Sequence, residues 1–437
     1  MPGALLAAGY TALFLFLIRR WGFFAARGLS RRSIGLLFLL KIAAGTVLWY
    51  IYTYHYPDRA TADIYKYFDD GNIMFGALPD HPGDYLRMLF GVDNTAKHMD
   101  TDYYMVMNNW YRQYEGNLYN DAHTMIRFNA LVRLFSFGVY HVHTVFACFL
   151  GLIGLVGLYR AFVPYLAGAE RALAVGVFLL PSVLFWGSGV IKEALLFFAL
   201  GVFVLHVFRS INGRQSVLGL FALVLSVALL AVLKFYVVLS LAPGLIAYTW
   251  CRRTGDRRTW MKFGLVYVVA VLFALTSSRI IPGFDVLETL WVKQKDFVGV
   301  ATATGSGSYI PPPPLEPEPW SFIKQIPHAL YMTFLSPLVT WRSGALGIVS
   351  AAENVLLLLA CAFTLVRPRH RRDMDLPLIL FCVGYCLVLA LIIGWTTPVV
   401  GALVRYRVPL LPFGCIALLL MADPRKWPRW IGAPLLP

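Results

Sequence analysis

The sequence predicts an all-α fold, a polytopic bundle of about eleven transmembrane helices. Three observations carry that prediction: the composition, the repeated long apolar runs, and the uneven placement of arginine. Of 437 residues, 59% are hydrophobic and only 14% are charged. An average soluble domain is about 45–50% apolar and about 25% charged. Such a chain has no soluble domain of ordinary polarity, and disorder is excluded because the apolar content is far too high.

A hydrocarbon core of about 30 Å takes roughly 20 apolar residues per helix. The first run, 4–18, has no basic residue ahead of it and no small-residue cleavage pattern before Arg19, so it reads as a span and not a signal peptide. The runs 34–54 and 143–160 follow. Next come 172–186 and 189–208, a tight pair around Pro181. A second tight pair, 217–233 and 236–251, meets at Lys234. Both pairs suit broken or re-entrant helices. The runs 263–277, 345–366, 376–394 and 408–421 complete the set.

Orientation follows from lysine and arginine. The short loops on one side carry 21 basic and 5 acidic residues, whereas the two long loops, 55–142 and 278–344, carry 12 basic and 16 acidic residues. The arginine-rich side is expected to be cytoplasmic, with the N-terminus outside and the C-terminus inside. The net charge of +15 is therefore mostly a topology signal. No basic patch is built for nucleic acid. All six cysteines lie in or beside spans, which argues against a disulfide framework and against a zinc site.

Both long loops are expected to face outside. The first is aromatic and acidic: Asp63-Ile64-Tyr65-Lys66-Tyr67-Phe68-Asp69-Asp70, then Tyr103, Tyr104, Trp110, Tyr111 and Tyr119. Residues 122–137 alternate Arg127 and Arg133 with apolar residues and suit a helix lying in the membrane interface. The second loop holds Gly305-Ser306-Gly307-Ser308, expected to be mobile, and Pro311 to Pro314, expected to be extended polyproline II. Residues 321–338 predict a second interfacial helix. Loops of this length usually carry function, which directs attention to that face.

Seven charged residues interrupt or edge the spans: Lys41, Lys192, Glu193, Lys234, Glu353, Arg405 and Arg407. Each costs about 2.5–3.5 kcal/mol at the bilayer centre on insertion scales. Lys41 suits snorkelling to the cytoplasmic surface, and the other six lie toward the outer face. Lys192 and Glu193 point about 100° apart on a helix, so each needs a partner from another element. Arg405 and Arg407, with Tyr406 between them, suit phosphate binding. Asp63 stands before the Tyr65 aromatic run and is the candidate base for an acceptor hydroxyl. Its rivals are Asp69 and Asp70. Asp58 precedes them, and His141 and His143 are alternative bases.

This layout resembles the GT-C superfamily of integral-membrane glycosyltransferases, which use polyprenyl-phosphate-linked sugars. A span leads to a long first external loop with an early Asp, six more spans follow, and a second long loop precedes the C-terminal set. The likeness covers most of residues 34–421. Asp63-Ile64-Tyr65 resembles the acidic-aromatic start of that first loop, and Arg405-Tyr406-Arg407-Val408-Pro409 resembles the Arg/Tyr-rich start of a late helix. The stretch Pro181 to Glu193 is similar to segments of bacterial polysaccharide-assembly membrane proteins. The extra first span and the lack of a tight paired-acid motif depart from the pattern.

The resemblance implies an inverting sugar transfer at the outer face of a bacterial inner membrane. The donor would be a polyprenyl-phosphate sugar and the acceptor a glycan, lipid or protein. Asp63 would be catalytic, with Arg405, Arg407 and Lys192 on the lipid phosphate. Glu193, Lys234, Glu353, Tyr65 and Tyr406 are further site candidates. A divalent cation, Mg or Mn, would sit on one or two carboxylates and donor phosphate oxygens. The organisation expected is an extra span and loop at 1–33, a transmembrane module at 34–277, a Pro-rich lid at 278–344 and C-terminal spans at 345–437. The alternatives are a lipid-linked oligosaccharide polymerase or ligase, and a transporter or flippase using the intramembrane charges.

Overall fold

A computed structural model of the chain describes residues 2–54, 59–111, 119–338 and 345–423. Asp58 lies outside the described residues. Among them every element is helical, with isolated β-bridges but no strand. Among the described residues nine helices are long and apolar enough to cross a membrane: Pro2–Arg20, Arg31–Tyr54, Tyr140–Tyr165, Lys192–Ile211, Val217–Thr254, Thr259–Ile280, Leu346–Val366, Leu376–Thr396 and Val400–Met421. These fit an integral multi-pass membrane protein, since an α-helix satisfies its own backbone in lipid.

The bundle is centred on Tyr140–Phe162, whose residues are buried on nearly every face. Its closest partner is Lys192–Ile211. The two backbones approach so nearly that a Cβ on Gly154 would fall on the Phe197 carbonyl, and one on Gly201 would fall on the Gly154 carbonyl. Only glycine fits such a crossing, in keeping with the small residues that line helix contacts in membranes.

Both tight pairs in the sequence are breaks. A straight helix of 38 residues would measure about 57 Å, nearly twice the hydrocarbon thickness. The helix Val217–Thr254 has this many residues but is not straight, because Lys234 leaves helical geometry at φ −155° and ψ 83°. Gly219 lies against His206, Tyr248 stacks on Phe208 at 5.4 Å, and Lys234 bonds to Glu193. Both ends of the segment thus lie at one end of Lys192–Ile211 and Lys234 at the other, so the chain turns back at Lys234. Around Pro181 the segment runs as Glu170–Ala174, a π-helical turn Val175–Leu179, and Pro181–Trp186. The break leaves the Ser182 N–H without a helical acceptor, and Glu353 Oε2 takes it at 2.7 Å.

Lys41 does not snorkel. It is 2% exposed, and its Nζ donates to the Gly187 carbonyl at 2.6 Å and to Ser188 Oγ at 3.1 Å. It serves the Gly187 carbonyl, freed where Pro181–Trp186 ends, and the Ser188 hydroxyl beside it.

The first long loop is a packed helical cap. Asp63–Gly76 and Ala122–Ser136 lie together over a core of Met74, Met88, Met99, Met125 and Ile126. Trp110 is sandwiched between Tyr104 at 4.1 Å and His123 at 3.9 Å. Ala122–Ser136 keeps Leu131, Leu134 and Phe135 exposed, as the interfacial reading requires.

The second loop departs from its expectation in two places. The Gly/Ser stretch is fastened, since Ser308 O accepts the Val400 N–H at 3.0 Å and Ile310 N–H reaches Pro398 O at 2.9 Å. The prolines are held by Gln294, which donates to Pro313 O at 3.3 Å and to Trp395 O at 2.8 Å, and by Gln325 on Pro314 O. The expected helix 321–338 divides into Pro319–Lys324 and Ile326–Leu335. The second piece packs tightly along Leu376–Thr396, with Thr333 Oγ1 on Ala390 O at 2.8 Å. Its small residues Ala329 and Thr333 allow that close approach, facing Gly394 and Ala390 of the span.

Candidate functional site

Four charged side chains from four separate elements form one alternating chain at the end of the bundle that carries the long loops. Asp63 opens the cap helix Asp63–Gly76, where the helix dipole favours a carboxylate. Its Oδ2 accepts from Arg405 Nη1 at 2.6 Å. Arg405, near the end of Val400–Tyr406, also donates Nε to Glu193 Oε2 at 2.8 Å. The other oxygen of Glu193 takes Lys234 Nζ at 2.8 Å. Lys234 sits at the chain reversal with its ammonium 4.2 Å over the Tyr406 ring.

Exposure falls from Asp63 into the bundle and is least at Glu193. The Asp63 side chain is 35% exposed, Arg405 10%, Lys234 3% and Glu193 0%. Asp63 is the most open of the four, and Arg405 is reached beside it. Two positive and two negative groups cancel, so no net charge is buried, the condition under which such a network persists in low dielectric. Trp186 walls the site beside Arg405 at 5.9 Å, and Phe297 of Val286–Ala303 meets Tyr406 at 5.8 Å.

Lys192 stands next to Glu193 but faces the cap. Its Nζ meets Asp121 at 2.9 Å and lies 5.2 Å over the Tyr67 ring. Burial raises the Tyr67 hydroxyl well above the ordinary tyrosine value, with Asp63 adding to the shift. Tyr67 and Asp121 join the neighbourhood without having been site candidates in the sequence. A periodicity argument would have found Tyr67, four positions after Asp63 and so on the same helical face.

Arg407 takes a different task from the one its motif suggested. It is 1% exposed, and Nη1 donates to the Thr333 and Ser336 carbonyls at 3.0 and 2.8 Å. Nη2 reaches Ser350 Oγ at 3.1 Å and Asn354 Oδ1 at 2.7 Å, with Glu353 at 4.0 Å. This guanidinium closes the C-terminal end of Ile326–Leu335 and ties it to Ala345–Val366. It lies in a second buried polar cluster with Glu353, apart from Asp63. Residues two apart on a helix do not share a face, so Arg405 and Arg407 do not form one phosphate clamp.

The rival acids are occupied elsewhere. Asp69 pairs with Arg59 through two hydrogen bonds, at 2.9 and 2.7 Å. Asp70 is fully buried and accepts the Asn108 and Asn109 backbone N–H groups at 2.8 and 2.9 Å. Burial pushes its pKa up to about 6, against the pull of those two donors. Tyr65 bonds Thr53 at 2.6 Å under the Arg59 guanidinium. His143 is held at both nitrogens, by Ser136 and Asn129, and His141 meets the Trp49 ring edge-on at 4.7 Å. Tyr104 and Trp110 are cap core and present no sugar platform, whereas Tyr111 and Tyr119 are exposed.

Among the described residues no group of three or more His, Cys, Asp or Glu converges as a metal site. Asp63 faces a guanidinium, as does Asp69, so these donors do not make a protein-held cation site. A cavity of about 600 Å³ opens at the opposite end of the bundle, and none of the residues above lines it. Compared with family models, curated proteins and solved structures, the chain matches none of them.

Proposed function

We propose that this protein is a membrane glycosyltransferase that takes a sugar from a polyprenyl-phosphate-linked donor at the extracytoplasmic face. The observation that carries the reading is the Asp63–Arg405 pair: a partly exposed carboxylate held by a guanidinium that is itself anchored on buried Glu193. Among the described residues the nine apolar helices support a reading of eleven crossings, with the reversal at Lys234 and the broken 170–186 segment each counted as one more. An odd number puts the two ends of the chain on opposite faces. The arginine distribution then turns the loop-bearing end outward.

In this mechanism the donor phosphate competes with Asp63 for Arg405. Release from the guanidinium frees the Asp63 carboxylate to accept a hydrogen bond from the acceptor hydroxyl. The acceptor hydroxyl oxygen bonds to the anomeric carbon as the bond from that carbon to the phosphate oxygen breaks. The hydroxyl proton passes to Asp63, and the lipid phosphate leaves with its charge on Arg405. Lys192 is the second cation of the site. Stabilising charge that develops on the leaving oxygen is the largest lever such a site has. No step is routed through a metal ion.

The test is transfer from a panel of polyprenyl-phosphate sugars by the purified protein. Asp63→Asn should lower the rate by about 10²–10⁴-fold, the usual range for a general base, with its melting temperature near that of the parent. Full activity of a folded Asp63→Asn protein removes the mechanism.

The transporter reading keeps one observation in its favour. Broken helices at membrane depth, here at Pro181 and Lys234, are common at transport sites. Product analysis separates the two readings, since a transporter returns its substrate covalently unchanged. Product length on a lipid-linked repeat unit separates single transfer from polymerisation.

A further inference from the structure

The cavity of about 600 Å³ lies at the arginine-rich end of the bundle. Its size falls within the ordinary range of ligand sites, about 300–1,000 Å³. Arg160 comes from the last turn of Tyr140–Phe162, Arg209 from the last turn of Lys192–Ile211, and Arg214 from the turn that follows. Leu205, Phe208 and Tyr165 supply apolar and aromatic wall. Two other arginines at this end have acidic partners: Arg27 meets Glu170 at 3.5 Å, and Arg252 pairs with Asp375. Among the described residues Arg160, Arg209 and Arg214 have none. Arg160 donates to the Phe23 carbonyl and lies over the Phe23 ring, which leaves Arg209 and Arg214 as the two like charges at the concavity that an anion would relieve.

A topology signal alone requires positive charge near the surface and does not require a concavity. The combination of convergent guanidiniums, apolar wall and volume is that of a site for a phosphate carried on an apolar body. Basic pockets between transmembrane helices hold anionic headgroups, and arginine forks match phosphate oxygens two at a time.

We propose that this cavity binds a phosphate ester, with its charge on Arg209 and Arg214 and its apolar portion against Leu205 and Phe208. The inference stands independently of the glycosyltransferase reading, because it involves none of the residues at the other end. The ligand comes either from an anionic lipid of the adjoining leaflet or from a soluble phosphate compound at that surface.

The full chain in zwitterionic nanodiscs is titrated with short-chain phosphatidylglycerol and, separately, with inorganic pyrophosphate. Saturable binding is followed by native mass spectrometry and by ligand-induced thermal shift. The expected result is binding that weakens about tenfold or more in R209Q/R214Q and is unchanged in R253Q/R257Q, which removes the same charge from a neighbouring loop. Binding of the lipid alone supports a membrane headgroup. Competition by pyrophosphate supports a soluble phosphate. If R209Q/R214Q melts early, the single variant R214Q, on an exposed turn, carries the same comparison and should weaken binding more than R253Q. Equal losses in the two arginine pairs, or no saturable binding of either probe, overturn the proposal.

Discussion

Arg405 Nη1 reaches Asp63 Oδ2 at 2.6 Å across 342 positions of sequence. Through this contact the cap built from the first long loop is joined to a helix near the far end of the chain. Lys192 makes a second tie to the same cap, at Asp121.

The two carboxylates of the alternating chain should differ sharply when neutralised. Glu193→Gln leaves Lys234 and Arg405 buried without their shared anion, and breaking such a buried pair costs about 3–5 kcal/mol. Asp63→Asn acts at a partly exposed pair and should cost about 1 kcal/mol. Thermal unfolding in detergent should rank Glu193→Gln far below Asp63→Asn. The opposite order would mean that the charge chain does not hold the bundle together.

Arg407 should behave as a structural residue. Arg407→Gln abandons the Thr333 and Ser336 carbonyls and lowers the yield of monodisperse protein. Arg407→Lys should not restore it, because an ammonium lacks the planar fork that bridges two carbonyls and two side chains at once. Whatever folded Arg407→Lys protein is recovered should keep its activity per molecule. A selective loss of donor binding would return Arg407 to the site.

Asp70 gives the cap a defined pH dependence. Its folded pKa is pushed up to about 6, above the ordinary carboxylate value of 3.8, so the folded cap binds a proton that the unfolded chain releases. The folded state therefore gains stability as pH falls from about 6 toward 4 and loses that gain as pH rises back through 6. A shift of roughly two units corresponds to about 3 kcal/mol at most. Hydrogen exchange at the Asn108 and Asn109 amides, corrected for intrinsic rate, should slow on acidification from pH 7 to pH 5. The Asp70→Asn protein should show no such slowing.

The crossing of Tyr140–Phe162 with Lys192–Ile211 tolerates no side chain at its closest point. Gly154→Ala or Gly201→Ala places a methyl on a backbone carbonyl, and overpacking of this kind costs about 1–3 kcal/mol or more. Gly264→Ala meets open space and should melt as the parent does, or slightly higher, since alanine favours a helix.

Hydropathy made the spans legible, because lipid leaves a chain few alternatives. Pro181 and Lys234 were legible as breaks for the same reason: each offends a helix in an apolar run. The seven intramembrane charges were legible as exceptions to their background. Their grouping was not. Glu193 finds Lys234 41 positions away and Arg405 212 positions away, and local spacing holds no information about such pairs. The phosphate clamp at Arg405 and Arg407 failed on angle, since two residues two apart on a helix look in different directions. The small core of the first loop was not legible because Met74, Met88, Met99 and Met125 come from four separate helices, and the pattern within one helix holds no information about which other helix it faces.

The order of synthesis gives the Asp63–Arg405–Glu193–Lys234 chain a further meaning. Glu193 enters the bundle well before Lys234 and long before Arg405. Lys234 arrives with the next hairpin and supplies its first counter-charge. Asp63, made earliest of the four, waits for Arg405 and so for almost the whole polypeptide. The Lys192–Asp121 tie forms early and the Asp63 tie last, and a ribosome halted before residue 400 leaves a bundle whose outermost carboxylate still lacks its guanidinium.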